Sequence, residues 1–113
     1  MTRAFLALAL LAASAHAHQA PSGWAYPQTC CGGDPTGQVP HGDCYPVPDA
    51  TVREVRGGYV VTLRPGDHPF AHQTITAEIP HGDDRLMPSG DDRKHVCIVG
   101  GRVRCLFIPP GGV

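Results

Sequence analysis

The five cysteines are the residues of this chain most able to form covalent bonds, and their odd number is the first constraint on what they do. They are Cys30, Cys31, Cys44, Cys97 and Cys105. Two disulfides use four thiols and leave one over. The remaining thiol would be inert inside the fold, would link two copies of the chain as a disulfide-bonded dimer, or would act as a metal ligand or nucleophile.

Spacing along the chain restricts the cysteine pairs. Cys30 and Cys31 are adjacent, and a bridge between neighbours closes a strained ring, so each is expected to pair elsewhere. Cys97 and Cys105 flank Gly100-Gly101, and the length of that turn decides whether they meet. A three-residue loop sets the two cysteines directly opposite each other, whereas a two-residue turn sets Cys97 on the other face. In the second case one face carries Val96, Ile98, Val103, Cys105 and Phe107.

Both turn lengths stay open at the level of sequence. The three-residue loop predicts a Cys97–Cys105 bridge, and the second expected bridge joins Cys30 or Cys31 to Cys44. Each bridge would close a loop of roughly 9 to 15 residues and add about 2.5–3 kcal/mol in the chain-entropy model. In a domain this small, that is a large share of the total stability.

Two histidines suggest a different chemistry, copper binding. His16 and His18 lie at the end of an N-terminal stretch that has the form of an export signal. Cleavage after Ala17 would leave His18 at the new terminus, where its amine and ring nitrogen suit Cu(II). Cleavage after Ala15 would leave His16-Ala17-His18, another arrangement that binds Cu(II) or Ni(II). The alternative is that the histidines are an accident of where the peptidase cuts.

A repeated tetrapeptide is the other candidate for metal binding. Pro40-His41-Gly42-Asp43 recurs as Pro80-His81-Gly82-Asp83. In a turn that begins one residue before each repeat, the proline is second and the glycine fourth. These positions suit a type I turn, which is the expected structure. The competing hypothesis brings both histidines and an aspartate of these repeats around one metal ion. The sequence contains no CxxC pair and no HExxH motif that would support a metal centre.

Sequence patterns of catalysis are absent from this chain. It has no GxSxG, no P-loop and no dinucleotide-binding glycine pattern. Ser22 and Ser89, the serines that follow the export signal, have no nucleophile context. We therefore predict a protein that is not an enzyme and requires no cofactor, with copper as the one cofactor that its residues suggest.

The first 17 residues have the three parts of a signal peptide. Arg3 supplies a positive charge, residues 4–13 form a short apolar run, and Ala15-His16-Ala17 fits a cleavage site. We expect the mature protein in the periplasm or outside the cell, where disulfides form. No later run is long enough to span a membrane. The mature charge of about −2 argues against binding nucleic acid.

After the signal, the chain is expected to form one domain, 18–113, with an irregular Cys/Pro/aromatic arm over 18–49 and a β-sheet region over 50–113. Two glycine pairs, Gly57-Gly58 and Gly100-Gly101, predict hairpins. We predict an all-β fold, a small disulfide-stapled antiparallel meander of about five strands. The predicted strands are Thr51–Arg56, Tyr59–Arg64, Gln73–Ile79, Lys94–Val99 and Arg102–Ile108, and a loop is predicted over 80–93.

Alternation within the first three strands predicts which side chains are buried. Residues of alternating hydrophobicity place one apolar set on the same face of the sheet. That set is Val52, Tyr59, Val61, Leu63, Ile75, Ala77 and Ile79. Aromatic rings in the arm offer a second apolar group, at Trp24, Tyr26 and Tyr45. These rings would form a contact surface for a protein or cell-envelope partner, or they would cap the core.

Short motifs spread over the mature chain resemble a group of small exported bacterial proteins of uncharacterised function. The motifs are Trp24-x-Tyr26-Pro27, Cys30-Cys31, Asp43-Cys44, Ser89-x-Asp91, His95-x-Cys97, Arg104-Cys105-Leu106-Phe107 and Pro109-Pro110-Gly111. The resemblance implies export and this cysteine pattern, and no activity. The sequence thus predicts an exported, non-catalytic binding or structural domain, with a periplasmic copper-binding protein as the alternative.

Overall fold

A computed structural model describes residues 19–30 and 44–111 of the chain. The described residues form strands, turns and one 3-10 turn, which confirms the all-β, disulfide-stapled and largely antiparallel fold. The 3-10 turn spans Asp49–Thr51. The strands are β1 Cys44–Pro46, β2 Val52–Val55, β3 Gly58–Leu63, β4 Ile75–Pro80, β5 Leu86–Pro88, β6 His95–Val99 and β7 Arg102–Ile108. The predicted signal peptide and its predicted cleavage point lie outside the described residues.

Strands β2, β3 and β4 form an antiparallel sheet in chain order, which we call the meander sheet. Its first turn is Arg56-Gly57, one residue earlier than predicted, because Val55 pairs with Gly58. The pairing therefore slips by two residues, Val52 facing Val61, and a slip of two keeps every side chain on its face. The predicted inward set is confirmed: Val52, Tyr59, Val61, Leu63, Ile75 and Ile79 are buried and Ala77 is half-buried.

Gly58 is a strand residue because two strands approach closely there. It is buried and pairs with Pro80 of β4. A Cβ at this position would overlap the Ile79 carbonyl and lie 2.7 Å from the Pro80 Cα. Gly57 instead provides the turn, with φ at 89°. Gly57 is thus required by the turn, and Gly58 by the close contact between β3 and β4.

The remaining strands form a second sheet in the order β1-β6-β7-β5, which we call the stapled sheet. Its β1–β6 and β6–β7 pairs are antiparallel, and its β5–β7 pair is parallel. The predicted strands did not include β1 or β5. Each has three residues and contains a proline, too short for alternation to show and typical of a sheet edge.

The β6–β7 hairpin combines the two alternatives that the sequence left open. Its turn has two residues, Gly100-Gly101, since Val99 pairs with Arg102. A bulge then omits Arg104 from the pairing, so Cys97 still lies directly opposite Cys105. The two-residue turn had predicted Cys105 and Phe107 on the same face as Val103. That prediction was wrong, because the extra residue Arg104 moves both side chains to the opposite face.

The stapled sheet is covered on both faces. One face shares a core with the meander sheet, formed by Val47, Val52, Tyr59, Val61, Leu63, Ala71, Ile75, Ile79, Val96, Ile98, Val103, Leu106 and Ile108. The other face, with Cys44, Cys97, Cys105 and Phe107, is covered by Gln19–Cys30. This segment is the first described part of the predicted arm, and from here on the arm means Gln19–Cys30 alone. Within 19–30 and 44–111, no helix is long and apolar enough to cross a membrane.

Candidate functional site

The arm is held in shape by its own backbone before it meets the sheet. The Ala20 amide donates to the Trp24 carbonyl at 2.7 Å, and the Gly23 amide donates to the Ala20 carbonyl at 2.8 Å. Gly23 takes φ at 92°, a value that favours glycine. This tight turn lets the arm present Ala20, Tyr26 and Cys30 to the sheet, where all three are buried.

A buried hydrogen-bond chain joins the arm to the sheet. The Tyr26 hydroxyl lies 2.7 Å from Nδ1 of His95, and Nε2 of the same ring lies 2.7 Å from Oδ1 of Asp91. Tyr26 is 1 % exposed and His95 is 0 % exposed. From the arm, Ser22 also donates to Oδ2 of Asp91 at 2.7 Å. The arm therefore meets the same acid–imidazole pair twice.

Asp91 is the anchor of this chain because its carboxylate accepts from four groups. Besides His95 and Ser22, the Ser89 hydroxyl lies 3.0 Å from Oδ1 and the Arg93 amide 2.9 Å from it. Burial by itself would raise the pKa of Asp91, but the hydrogen bonds from these four groups outweigh it and hold the pKa well below its usual range. The carboxylate is thus ionised and acts only as an acceptor.

The ionised carboxylate fixes the orientation of the His95 ring. Nε2 must carry a proton to donate to Asp91, and in the neutral ring Nδ1 then accepts from the Tyr26 hydroxyl. An acid, an imidazole and a hydroxyl in line have the composition of a proton relay. In this protein Tyr26 and His95 are buried where the arm meets the sheet, so a substrate would have to displace the arm to reach the hydroxyl and the ring nitrogens.

Aromatic rings close around the imidazole. Trp24 makes edge-to-face contacts with Tyr26, His95 and Phe107, with ring centroids 5.0–5.2 Å apart. Gly90 lies directly against the indole, and a Cβ there would overlap the Trp24 ring. Such aromatic pairs contribute about 0.5–1.5 kcal/mol each beyond the area they bury. Trp24 is therefore a lid on the buried hydrogen-bond chain, seated on a residue without a side chain.

Two disulfides staple the structure, with a pairing that differs from the predicted one. Cys30 bonds to Cys105 and Cys44 bonds to Cys97. The expected Cys97–Cys105 and Cys30/31–Cys44 bridges were wrong, because the arm and β1 each place a cysteine beside the β6–β7 hairpin. The sulfur of Met87 lies 3.3 Å from that of Cys30. The fifth cysteine, Cys31, lies outside the described residues.

The bulge in β7 also contacts the arm. The residue that the bulge leaves out of the strand pairing, Arg104, donates from Nε to the Thr29 carbonyl at 3.0 Å. The same bulge therefore turns Cys105 toward the arm and supplies a hydrogen bond to the residue before Cys30. Nothing in the sequence marks Arg104 as a bulge, so sequence reasoning could not find this contact.

Copper and other metal sites gain no support in the described residues. His16, His18 and the first Pro-His-Gly-Asp repeat lie outside them, so the copper hypothesis stays a prediction. The second repeat is a turn, as expected, but the predicted type I turn with proline second was wrong. The Asp83 amide donates to the Pro80 carbonyl at 3.0 Å, which makes Pro80 the first residue, and Gly82, the third, has the positive φ of 85° that a type II turn requires. Within 19–30 and 44–111, no group of three or more His, Cys, Asp or Glu side chains could hold a metal ion.

The turn of the second repeat is tied down by an ion pair instead. Arg85 donates from Nη2 to Oδ2 of Asp83 at 2.8 Å and from Nε to Oδ1 at 2.9 Å. Hydrogen bonds from the Arg85 side chain and backbone lower the pKa of Asp83 to about 2. Arg85 also donates to the Glu78 carbonyl on β4 at 3.0 Å. His81 contacts the Tyr59 ring edge-on, with centroids 5.5 Å apart.

The three rings predicted as a contact surface or a core cap mostly face inward. Tyr26 is buried, and Trp24 is half-buried against Phe107 and His95. Tyr45 is half-buried beside His68, with ring centroids 5.3 Å apart. The burial of Tyr26 and the half-burial of Trp24 and Tyr45 favour the second alternative, in which the rings cap the core.

An open groove lies between the start of β4, the edge strand of the meander sheet, and the turn of the β6–β7 hairpin. Its volume is about 590 Å³, and its lining residues are Phe70, His72, Gln73, Thr74, Ile75, Thr76, Ile98, Val99, Gly100 and Gly101. None of them is Asp, Glu, Lys or Arg. Val99, at 38 % exposed, is the one exposed large apolar side chain in the described ranges. The groove is thus an uncharged surface with an apolar rim.

A buried histidine shapes one wall of this groove. His68 donates from Nε2 to the Val96 carbonyl at 2.9 Å and accepts at Nδ1 from the Phe70 amide at 3.0 Å. These two bonds define the neutral ring with its proton on Nε2. They fix the loop before β4 against β6, which sets Phe70 at the groove. In the sequence His68 is an isolated histidine, and no pattern around it indicates this role.

Comparisons with known proteins add no relative to these observations: no family model, curated protein or solved structure matches the chain.

Proposed function

We propose that this protein is an exported, non-catalytic binding domain whose binding surface is the groove beside β4. The two disulfides are compatible with an oxidising compartment outside the cytoplasm. Within 19–30 and 44–111, the buried groups with catalytic chemistry are engaged in internal contacts: four cysteines in bridges, His95 with Asp91 in the buried chain, and His68 in the loop. What the described surface offers to a partner is a rigid scaffold with one uncharged groove.

The open edge of β4 carries this proposal. In the described part of the chain β4 pairs only with β3. The Glu78 carbonyl accepts from Arg85, so the backbone of Glu78 points away from β3. Backbone direction alternates along an antiparallel strand, so the amide and carbonyl of Thr76 point the same way, toward the groove. An extended peptide could add to this edge as a further strand.

The other strand edges are less suited to a partner. β1 and β5 have three residues each and contain prolines, and β2 carries the exposed charges of Arg53 and Glu54. Short, charged or proline-containing edges resist strand addition. The stretch 73–77 has neither a charge nor a proline. Its uncharged lining is complementary to an uncharged, extended segment of an envelope protein, which is the occupant we propose.

Site-specific cross-linking in the source cells tests this proposal. A photoreactive p-benzoylphenylalanine replaces Val99 at the groove rim, and the matched control replaces Val60, a half-buried valine on the other face of the meander sheet. The expected result is a discrete adduct with one envelope protein from position 99 and none from position 60. No adduct at 99, or equal adducts at both positions, would show that the groove is not a binding surface.

A backbone variant separates strand addition from simple apolar contact. Thr76→Pro removes the outward amide, and proline is tolerated on an edge strand where the amide faces away from its neighbour. Thr76→Val keeps the amide and removes only the hydroxyl. Strand addition predicts that the position-99 adduct is lost with Thr76→Pro and retained with Thr76→Val. Retention in both variants would rule out pairing along β4.

A further inference from the structure

Three cysteines lie in one row across the stapled sheet. Cys44 of β1 is directly opposite Cys97 of β6, and Cys97 is directly opposite Cys105 of β7. Residues opposite each other in antiparallel strands have Cα atoms about 4.5–5.5 Å apart, which is within the range that disulfides span. Cys97 therefore has two neighbours with which it could bond, and only the bond to Cys44 is made.

Cys105, the neighbour to which Cys97 is not bonded, is much closer to it along the chain than Cys44 is. Cys97 and Cys105 are eight residues apart, whereas the bridges in the structure close separations of 53 and 75 residues. Loop closure becomes less probable with roughly the three-halves power of its length, which favours the eight-residue loop by about 20- to 30-fold. The Gly100-Gly101 turn favours the same hairpin.

We propose that oxidative folding of this chain first forms the local Cys97–Cys105 bridge, and that a thiol–disulfide isomerase accelerates its conversion to the native pairing. The partner class follows from the chemistry: an enzyme with a reactive thiol that breaks and remakes disulfides without net oxidation. The native bridges prevail once formed, because the folded chain holds each of these cysteine pairs in contact and buries all four between the arm and the sheet.

Each step of this conversion balances. A disulfide such as oxidised glutathione accepts two electrons from the Cys97 and Cys105 thiols, which form the local bridge. The isomerase thiolate then attacks the Cys97 sulfur, and the Cys105 thiolate leaves. The Cys44 thiolate attacks the mixed disulfide at Cys97 and releases the isomerase. A second oxidised glutathione takes two electrons from Cys30 and Cys105, which completes the native pairing.

Refolding with time-resolved trapping tests this order. The reduced, unfolded protein refolds in a glutathione redox buffer, with and without a purified bacterial disulfide isomerase, and N-ethylmaleimide stops samples at intervals. Trypsin cuts after Arg102 and Arg104, between the two cysteines, so mass spectrometry can identify a Cys97–Cys105 pair. We expect that pair to form first and to decay faster with isomerase. A native bridge that forms first, at a rate indifferent to isomerase, would overturn the proposal.

Two variants identify which cysteine causes the delay. Cys31→Ser removes the odd cysteine but keeps the competition between the row neighbours, so isomerase should still accelerate folding. The triple variant Cys31→Ser/Cys44→Ser/Cys97→Ser leaves only Cys30 and Cys105, and the acceleration should disappear. If Cys31→Ser alone abolishes the acceleration, mispairing by Cys31 is the trap and the Cys97–Cys105 proposal fails.

Discussion

One face of the stapled sheet packs on the meander sheet through aliphatic side chains, whereas the other face holds the arm through sulfur bridges, aromatic rings and a buried hydrogen-bond chain. The difference follows from how much chain each face receives. The meander sheet contributes three paired strands with alternating apolar residues. The arm contributes only residues 19–30, and a segment this short buries too little apolar surface to offset the entropy of ordering it.

The comparison shows where this small domain uses strong and specific interactions. Its aliphatic core needs no particular partner for any one side chain, provided that size and alternation are kept. The arm needs defined partners, because Tyr26 bonds His95, Ser22 bonds Asp91 and Thr29 bonds Arg104. Variants on the two faces should therefore fail in different ways, and Trp24 is a natural probe as the only tryptophan in the chain.

Loss of the arm bridge should have the largest effect on stability. Cys30→Ala/Cys105→Ala removes a constraint on a 75-residue separation, which the chain-entropy model values at about 4 kcal/mol. We expect the Trp24 fluorescence transition to move to lower urea concentration than the far-ultraviolet circular dichroism transition of the sheets. Coincident transitions would mean that the arm and the sheets unfold as one unit.

A cavity in the aliphatic core should produce the opposite pattern at a somewhat smaller cost. Leu63 on β3 is completely buried between the sheets, and Leu63→Ala should lower the free energy of unfolding by about 3 kcal/mol. Because this core joins both sheets, the fluorescence and circular dichroism transitions should shift together. A shift confined to fluorescence would contradict the separation of the two faces.

Removing the carboxylate under the arm should cost less and depend on pH. Asp91→Asn should lower the free energy of unfolding at pH 7 by about 2 kcal/mol, since it weakens hydrogen bonds to a charged group. The folded protein holds the pKa of Asp91 below its unfolded value. The carboxylate's contribution is therefore complete above the unfolded pKa of about 4 and is lost as pH falls below it.

Urea titrations at several pH values measure this dependence. The difference in free energy of unfolding between the natural protein and Asp91→Asn should be constant from pH 7 to about pH 5 and should shrink toward pH 2. Asp92→Asn, at the exposed neighbouring carboxylate, is the matched control and should show little difference at any pH. A difference that grows on acidification would reverse the sign and refute the role of Asp91 as an ionised anchor.

The two faces also differ in how well the sequence predicted them. The meander sheet could be predicted because alternation and the glycine pair are local signals, and a turn misplaced by one residue left every face unchanged. The arm face could not, because its contacts join residues far apart in the chain. Tyr26 and His95 are separated by 69 residues, and no periodic pattern links them.

The cysteines show the same limit. Sequence reasoning identified five cysteines and favoured bridges that close short loops. The native bridges instead join cysteines 75 and 53 residues apart. Two features that local patterns do not reveal decide the outcome: the bulge at Arg104, which turns Cys105 toward the arm, and the short strand β1, which places Cys44 beside Cys97. The motifs Trp24-x-Tyr26 and Ser89-x-Asp91 were noted in the sequence, but only the fold joins them into one site.

The smallest expected effect comes from adding a single methyl group beneath the lid. Gly90→Ala would place a Cβ inside the Trp24 ring, and we expect a cost of about 1 kcal/mol, the lower end for overpacking, because the ring can move aside. Because the arm is a short segment at the surface, we expect the indole to move outward and the fold to persist, with Trp24 emission shifted to longer wavelength in the native protein.

Gly58→Ala, which overlaps backbone in the meander sheet, is the matched control and should destabilise the protein without shifting native emission. An unshifted emission in Gly90→Ala would show that the lid is not seated on Gly90, and a shift in both variants would show that the two faces are coupled.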